Sequence, residues 1–157
     1  MVPLTITRHK KTKIDGSATL LLYGYGSYGS SMSPDFSSTK LSLINRDIIW
    51  VTAHIRGGME RGMKWWKEGK LLNKKNTFED YIAVAKFLIA SNYTSKKKII
   101  GMGGSAGGLL MGAVMNQEPE LFLGIVMAVP FVDSLTTNLD HSLPLTLSLI
   151  HISEPTR

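Results

Sequence analysis

One serine stands in a sequence pattern that is typical of an activated nucleophile. Residues 103–107 read Gly-Gly-Ser-Ala-Gly, which is the pattern G-x-S-x-G centred on Ser105. In this pattern a strand turns sharply into a helix, and glycines two positions before and after the serine let the two elements approach. The positive end of the helix then points to where an oxyanion would form. The pattern therefore predicts acyl-transfer chemistry at Ser105.

The elements that must position this serine are predicted on both sides of it and in the rest of the chain. Apolar and β-branched runs predict strands, and apolar residues at helical spacing predict helices. Thr77, three residues before Asp80, suggests a capping box. Because strands and helices alternate, we expect an α/β fold with a mostly parallel sheet and helices on both faces. The predicted strands are residues 18–23, 47–53, 98–102 and 124–129, the predicted helices are 34–45, 77 onward and 106–116, and residues 54–76 are predicted to be a loop rich in glycine and tryptophan.

A dinucleotide-binding domain is the less favoured alternative. Residues 24–29 spell G-x-G-x-x-G after a strand, and residues 101–106 spell G-x-G-x-x-A after another. The first pattern lacks the helix that should follow at once, because serines and Pro34 intervene. Asp47, at about the expected distance for a ribose contact, begins the next strand instead of ending it. The context therefore disfavours a dinucleotide site.

The histidines do not suggest a metal site. They show no H-E-x-x-H spacing and have no cysteine partners, so we expect neither a metal nor any other cofactor. One of them, His54, directly follows a predicted buried strand and is interpreted as structural. The four positions are His9, His54, His141 and His151.

Composition narrows the class of protein. The chain has 157 residues, no cysteine and a net charge of +6. Its basic residues are scattered and are not interleaved with aromatics, so no nucleic-acid partner is expected. The longest apolar run, residues 125–132, is too short to cross a bilayer and contains Pro130, so no membrane partner is expected either. The lack of cysteine and of an apolar core in residues 1–5 leads us to expect a cytoplasmic protein.

Several segments together resemble the catalytic domain of the prolyl oligopeptidase family of serine peptidases, and most closely its oligopeptidase B branch. The resemblance extends over residues 1–146 and implies the N-terminal part of an α/β-hydrolase domain. It also implies that the glycine-rich loop at residues 24–29 serves a peptidase and no nucleotide. The segments that carry the resemblance are residues 22–29, 53–58, 69–78, 103–112 and 129–133.

The resemblance also implies roles for individual residues. Ser105 would attack the peptide carbonyl and form an acyl-enzyme. The backbone N–H of Ala106 would donate one hydrogen bond to the oxyanion, and the Tyr25 hydroxyl would donate a second. Turn packing is the alternative interpretation of Tyr25.

The implied substrates are short peptides cleaved after Lys or Arg. Asp35 corresponds to one member of an acidic pair that contacts the residue before the cleaved one, whereas Ser33 stands where the second acid would be. An equally simple interpretation is that Asp35 lies at a helix N-terminus, where the dipole favours a carboxylate.

The catalytic base is harder to find in the sequence. After Ser105 the candidates are Asp133 or Asp140 with His141 or His151, and only 18 residues separate Asp133 from His151. The resemblance places both partners further downstream, so we expect the chain to stop before them. Residues 147–157 depart from the family pattern, and our hypothesis is that they are not native coding sequence. Two functions stay open, an active hydrolase and a catalytically inactive fragment.

Overall fold

A computed structural model gives the fold, and it describes residues 1–133 and 136–137. Within them the chain forms one sheet flanked by helices. The strands are β1 (Leu4–Thr7), β2 (Leu20–Gly24), β3 (Ile49–Ala53), β4 (Ile99–Gly104) and β5 (Phe122–Ala128). The helices are α1 (Ser38–Ile44), α2 (Met63–Lys67), α3 (Lys75–Ala90) and α4 (Ala106–Gln117), with 3₁₀ turns at Leu71–Asn73 and Pro119–Leu121.

The sheet has the order β1-β3-β2-β4-β5. Strands β2 to β5 pair in parallel, and Leu22 lies opposite Val51 on one side and Gly101 on the other. The prediction of a mostly parallel sheet is confirmed. Strand β1 was not predicted and runs antiparallel to β3 at the edge of the sheet. Its four residues are too few to show a clear alternation, and their partner lies more than 40 positions further along the chain.

One face of the sheet packs against α3 and α4. The alternate residues of β2 and β3 that point to this face are fully buried, and Tyr81 of α3 donates a 2.5 Å hydrogen bond to the carbonyl of Leu22. Burying each large apolar side chain contributes about 1.5–3 kcal/mol, so this layer fixes the sheet against both helices. The core includes Leu20, Leu22, Ile49, Val51, Ile99, Tyr81, Leu88, Leu110, Met111 and Val114.

The opposite face is covered by α1. Trp50 alternates with the core residues of β3 and therefore points away from α3 and α4. The Nζ atom of Lys40, on α1, lies 5.2 Å from the centroid of the Trp50 ring. Helices thus cover both faces, as predicted. The helix begins at Ser38 and not at Pro34, because Phe36 is 82% exposed and gives the earlier residues no apolar anchor.

Two further local predictions are wrong. Helix α3 begins at Lys75, so Thr77 is inside it and does not cap it. The Thr77 hydroxyl is instead placed by tertiary contacts, since it donates to the carbonyls of Arg56 at 2.9 Å and Gly69 at 3.2 Å. The loop predicted over residues 54–76 contains the short helix α2, which is held by a hydrogen bond of 3.0 Å from Trp65 Nε1 to the carbonyl of His54.

Across the described ranges, no helix is both long enough and apolar enough to cross a membrane.

Candidate active site

Ser105 lies at the turn between β4 and α4, with its side chain exposed. Its backbone has φ 54° and ψ −117°, a combination that is sparsely populated for a residue with a side chain. Such a conformation costs about 1–3 kcal/mol and persists only where its surroundings enforce it. The structure therefore shows the strained strand-to-helix turn that the G-x-S-x-G pattern predicts.

The chain that follows β5 enforces this turn. The N–H of Ser105 donates to the carbonyl of Ala128 at 2.9 Å, and the carbonyl of Ser105 accepts from the N–H of Phe131 at 3.0 Å. Gly108 lies so close to Pro130 that a Cβ atom at this position would overlap the proline. The segment at residues 128–131 thus holds Ser105 from one side, a support that the sequence pattern did not reveal.

Two glycines of the pattern are required by close backbone contacts. A Cβ atom on Gly103 would overlap the carbonyl oxygen of Gly107. A Cβ atom on Gly107 would lie 2.9 Å from the carbonyl oxygen of Gly24, a distance that real Cβ atoms do not show. The reason anticipated for glycine at these positions, close approach of strand and helix, is therefore observed.

Ala106 is the first residue of α4 and is buried. The first four N–H groups of a helix have no acceptor within the helix, and the helix dipole makes this end electropositive. The N–H of Ala106 directly follows Ser105 and can donate to an oxygen that develops negative charge beside the serine.

Tyr25 lies next to this helix end. Its ring stacks on Tyr28 with centroids 6.2 Å apart, and its Cδ2 atom would be 3.4 Å from a Cβ atom on Gly107. Burial raises the pKa of the Tyr25 phenol above its usual value, and Tyr23 adds to the effect. The phenol therefore stays protonated over the physiological range and can act as a donor. Among the described residues nothing hydrogen-bonds to it.

The loop that carries Tyr25 is held by hydrogen bonds and close contacts to two other segments, one at Gly57 and one at Lys74. Gly57 contacts the carbonyl oxygen of Gly26 so closely that a Cβ atom would overlap it, and the N–H of Gly29 donates to the carbonyl of Gly57 at 2.9 Å. The Nζ atom of Lys74 donates to the carbonyl of Gly26 at 2.6 Å and to the Ser27 hydroxyl at 2.8 Å. No feature of the sequence indicated this contact, because a lysine between a 3₁₀ turn and an α-helix shows no local pattern.

Asp35 is exposed and lies on the loop before α1. It lines a cavity of about 380 Å³ together with Lys40 and Trp50, on the α1 face of the sheet. In residues 1–133 and 136–137 no hydrogen bond or ion pair joins it to Ser105, Ala106 or Tyr25. Because α1 begins at Ser38 and has no acidic residue in its first turn, the interpretation of Asp35 as a helix N-terminal residue is wrong.

The remaining candidate residues are not brought to Ser105 by the described part of the chain. Both carboxylate oxygens of Asp133 accept hydrogen bonds from Thr136. His54 is buried between Thr5, at 2.7 Å, and Glu60, at 3.4 Å, so its structural interpretation is confirmed. The described residues contain no group of His, Asp and Glu that could hold a metal ion. Asp140, His141, His151 and the segment 147–157 lie outside the described residues.

The alternative of a dinucleotide loop finds no support in this geometry. The first helix after residues 24–29 is α1, which begins nine residues later at Ser38. The carbonyl of Gly26 accepts a hydrogen bond from Lys74, and Tyr25 lies against Gly107 in the first turn of α4. A pyrophosphate would need a helix N-terminus directly after the glycines.

Comparison with known proteins identifies the family. A sequence profile described as "Prolyl oligopeptidase family" matches residues 34–156. This chain belongs to the prolyl oligopeptidase family. Its members are hydrolases, and the predictions of the family and of an α/β-hydrolase fold are both confirmed.

Individual family members are similar over most of the chain. "Dipeptidyl aminopeptidase BI" of Pseudoxanthomonas mexicana is 51% identical over 145 residues, which are 92% of this chain and 20% of that protein. "Protease 2" of Moraxella lacunata is 54% identical over 145 residues, which are 92% of the chain and 21% of the relative. Oligopeptidase B from Leishmania major superposes with a TM-score of 0.89 at 48% identity, over 92% of this chain and 20% of that structure. The chain thus spans about a fifth of the length of these family members.

Proposed function

We propose that this chain provides the nucleophile and the oxyanion donors of a serine peptidase. The observation that carries the proposal is Ser105 itself, exposed between β4 and α4 with φ 54° and ψ −117°. A backbone that is strained at one exposed serine is explained by nucleophilic chemistry, because packing alone would favour glycine there.

The proposed reaction is peptide hydrolysis through an acyl-enzyme. The Ser105 hydroxyl oxygen attacks the carbonyl carbon of the scissile bond while its proton passes to a general base. The resulting oxyanion accepts hydrogen bonds from the Ala106 N–H and the Tyr25 phenol. The C–N bond then breaks, the amine leaves with a proton, and water hydrolyses the serine ester.

We further propose that the base is supplied by residues other than those described. Within residues 1–133 and 136–137 the histidines are His9 and His54, and His54 is engaged by Thr5 and Glu60. The order Ser, Asp, His along the chain is usual for this fold, so both partners would follow Ser105 in sequence.

For the substrate, we propose short peptides cleaved after Lys or Arg, with Asp35 contacting the residue before the cleaved one. Similarity to oligopeptidase B supports this choice, including a structure from Trypanosoma brucei that has covalently bound antipain and is 44% identical. Exposure of the Asp35 carboxylate leaves it free to contact a ligand from solvent. Other relatives are named prolyl endopeptidases, for example the one from Dictyostelium discoideum at 41% identity, so cleavage after proline is the competing specificity.

The test is labelling of the purified protein with a fluorophosphonate probe. We expect labelling that disappears in Ser105→Ala and persists in Ser42→Ala, which removes an exposed serine hydroxyl from α1. Circular dichroism of each variant would confirm folding. Failure to label a folded sample would favour the alternative of a catalytically inactive chain. Labelling that survives in Ser105→Ala would refute Ser105 as the nucleophile.

A further inference from the structure

Lys74 holds an ammonium group in a largely buried position without an acidic partner. Its Nζ atom donates to the carbonyl of Gly26 at 2.6 Å and to the hydroxyl of Ser27 at 2.8 Å. None of the ion pairs formed by the described residues includes it. Burial lowers its pKa to about 8. The charge is therefore stabilised by two neutral oxygen atoms, both on the loop that follows β2.

The position of Lys74 in the fold makes its charge still less favourable. Helix α3 begins at the next residue, Lys75, so the ammonium lies at the electropositive end of a 16-residue helix. Moving the loop away from Lys74 would leave a buried cation without hydrogen-bond acceptors, which is strongly unfavourable. The lysine and the loop are therefore held together more tightly than a solvated side chain and a turn would be.

The two acceptors directly follow Tyr25 in sequence. Gly26 has φ 66°, in the left-handed region, and a Cβ atom at this position would overlap Thr77 Cγ2 and Ile55. On the other side Tyr25 lies against Gly107 in the first turn of α4. The loop is thus fixed between α4 on one side and Ile55, Lys74 and the first turn of α3 on the other, and Lys74 holds the two residues that directly follow Tyr25.

We propose that Lys74 is a positioning residue for the oxyanion donor, because its hydrogen bonds to residues 26 and 27 hold the Tyr25 phenol beside Ser105. This inference rests on the proposed function, which gives Tyr25 the role of donor. Lys74 itself touches neither the substrate nor the reacting atoms.

The test is a double-mutant cycle with Lys74→Met and Tyr25→Phe, measured as the rate of Ser105 labelling by a fluorophosphonate. We expect Tyr25→Phe to slow labelling on the order of 10²-fold, as removal of one oxyanion donor does, and Lys74→Met to slow it by about tenfold. In the Tyr25→Phe background, Lys74→Met should change the rate by less than about twofold, because the two residues act in series. Lys75→Met is the control, since it removes an exposed lysine from the adjacent position.

Each result separates this inference from the proposed function. Additive effects of the two substitutions would overturn the role of Lys74 and leave Ser105 and Tyr25 in place. A Tyr25→Phe variant that labels at the original rate would overturn both roles. If no variant is labelled, amide hydrogen exchange tests the role of Lys74. Lys74→Met should speed exchange of the amides in residues 24–29 without changing exchange in α4. Unchanged exchange in residues 24–29 would overturn the inference.

Discussion

Arg56, which lies just after β3, and Asp80 of α3 form a bidentate ion pair. The Nη2 atom of Arg56 lies 2.6 Å from Asp80 Oδ1 and its Nε atom lies 2.8 Å from Oδ2. The backbone N–H of Arg56 adds a third hydrogen bond, of 3.0 Å, to the same carboxylate. The hydrogen bond to Asp80 raises the pKa of the Arg56 guanidinium. The pair ties the chain after β3 to α3, and the same chain contacts the Tyr25 loop through Gly57.

Breaking this pair should strongly destabilise the fold. The Asp80 side chain is 8% exposed and that of Arg56 is 23% exposed, so Asp80→Ala would leave a largely buried cation without its partner. We expect the free energy of unfolding to fall by about 3 kcal/mol or more, as measured by urea denaturation. Glu118→Gln, which removes the carboxylate from the more exposed pair with Lys86, should have a much smaller effect. Equal losses in the two variants would contradict this assignment.

Two substitutions of Ser105 should show how much backbone strain this residue carries. Both Ser105→Ala and Ser105→Gly remove the proposed nucleophile, but only glycine adopts φ 54° and ψ −117° without steric cost. We expect Ser105→Gly to be the more stable of the two by about 1 kcal/mol, after allowing for the greater entropy of unfolded glycine. Thermal unfolding of the two variants measures the difference. A more stable alanine variant would show that the backbone at residue 105 is not strained.

Two glycines of α4 should respond in opposite ways to substitution by alanine. A Cβ atom on Gly107 would lie 2.9 Å from the Gly24 carbonyl oxygen, whereas on Gly112 its nearest neighbour would be Val132 Cγ1 at 3.7 Å. Gly112→Ala should therefore stabilise the helix by about 0.5–1 kcal/mol. Gly107→Ala should destabilise the protein and also slow labelling of Ser105, because it pushes the Tyr25 loop away. Urea denaturation of both variants measures the change in the free energy of unfolding. Stabilisation by Gly107→Ala would contradict the close contact with Gly24.

The lowered pKa of Lys74 predicts a specific dependence of stability on pH. Between about pH 8 and the ordinary value of 10.5, the folded chain has lost a proton that the unfolded chain keeps. The free energy of unfolding should therefore rise with pH in this window, by up to about 1.4 kcal/mol per unit. Urea denaturation across the window should show that Lys74→Met lacks this rise and that Lys75→Met retains it. Identical slopes in the two variants would mean that Lys74 is solvated.

Substitution of Asp35 should test the proposed substrate preference. Asp35→Asn should lower kcat/KM for peptides with a basic residue before the cleaved one by about two- to fivefold, since an exposed ion pair contributes up to about 1 kcal/mol. Peptides with a neutral residue there should be unaffected. Asp15→Asn is the control, because Asp15 is an exposed carboxylate whose contacts are local to Ser17. An unchanged ratio between the two peptides would remove Asp35 from the substrate site.

The sequence by itself determined the features that depend on residues close together in the chain. The strand, the glycines and the helix around Ser105 are contiguous, so the spacing of G-x-S-x-G was enough to predict a nucleophile at a strained turn. The strands β2 to β5 and the helices α3 and α4 were predicted within a few residues, because each buries a run or a stripe of apolar side chains that is visible in the sequence. Family membership followed from several such segments in order.

Only the tertiary structure decided which distant residues meet. Lys74 reaches Ser27 across 47 positions and Arg56 reaches Asp80 across 24, and neither pairing leaves a periodic signal. The sequence around Thr77 resembles a helix cap, but its hydroxyl instead donates to the carbonyls of Arg56 and Gly69, which come from the chain before α3. The four residues of β1 became a strand because β3 offered a free edge. Burial makes each unpaired polar group costly, and it is the fold, not the local sequence, that determines which groups are buried together.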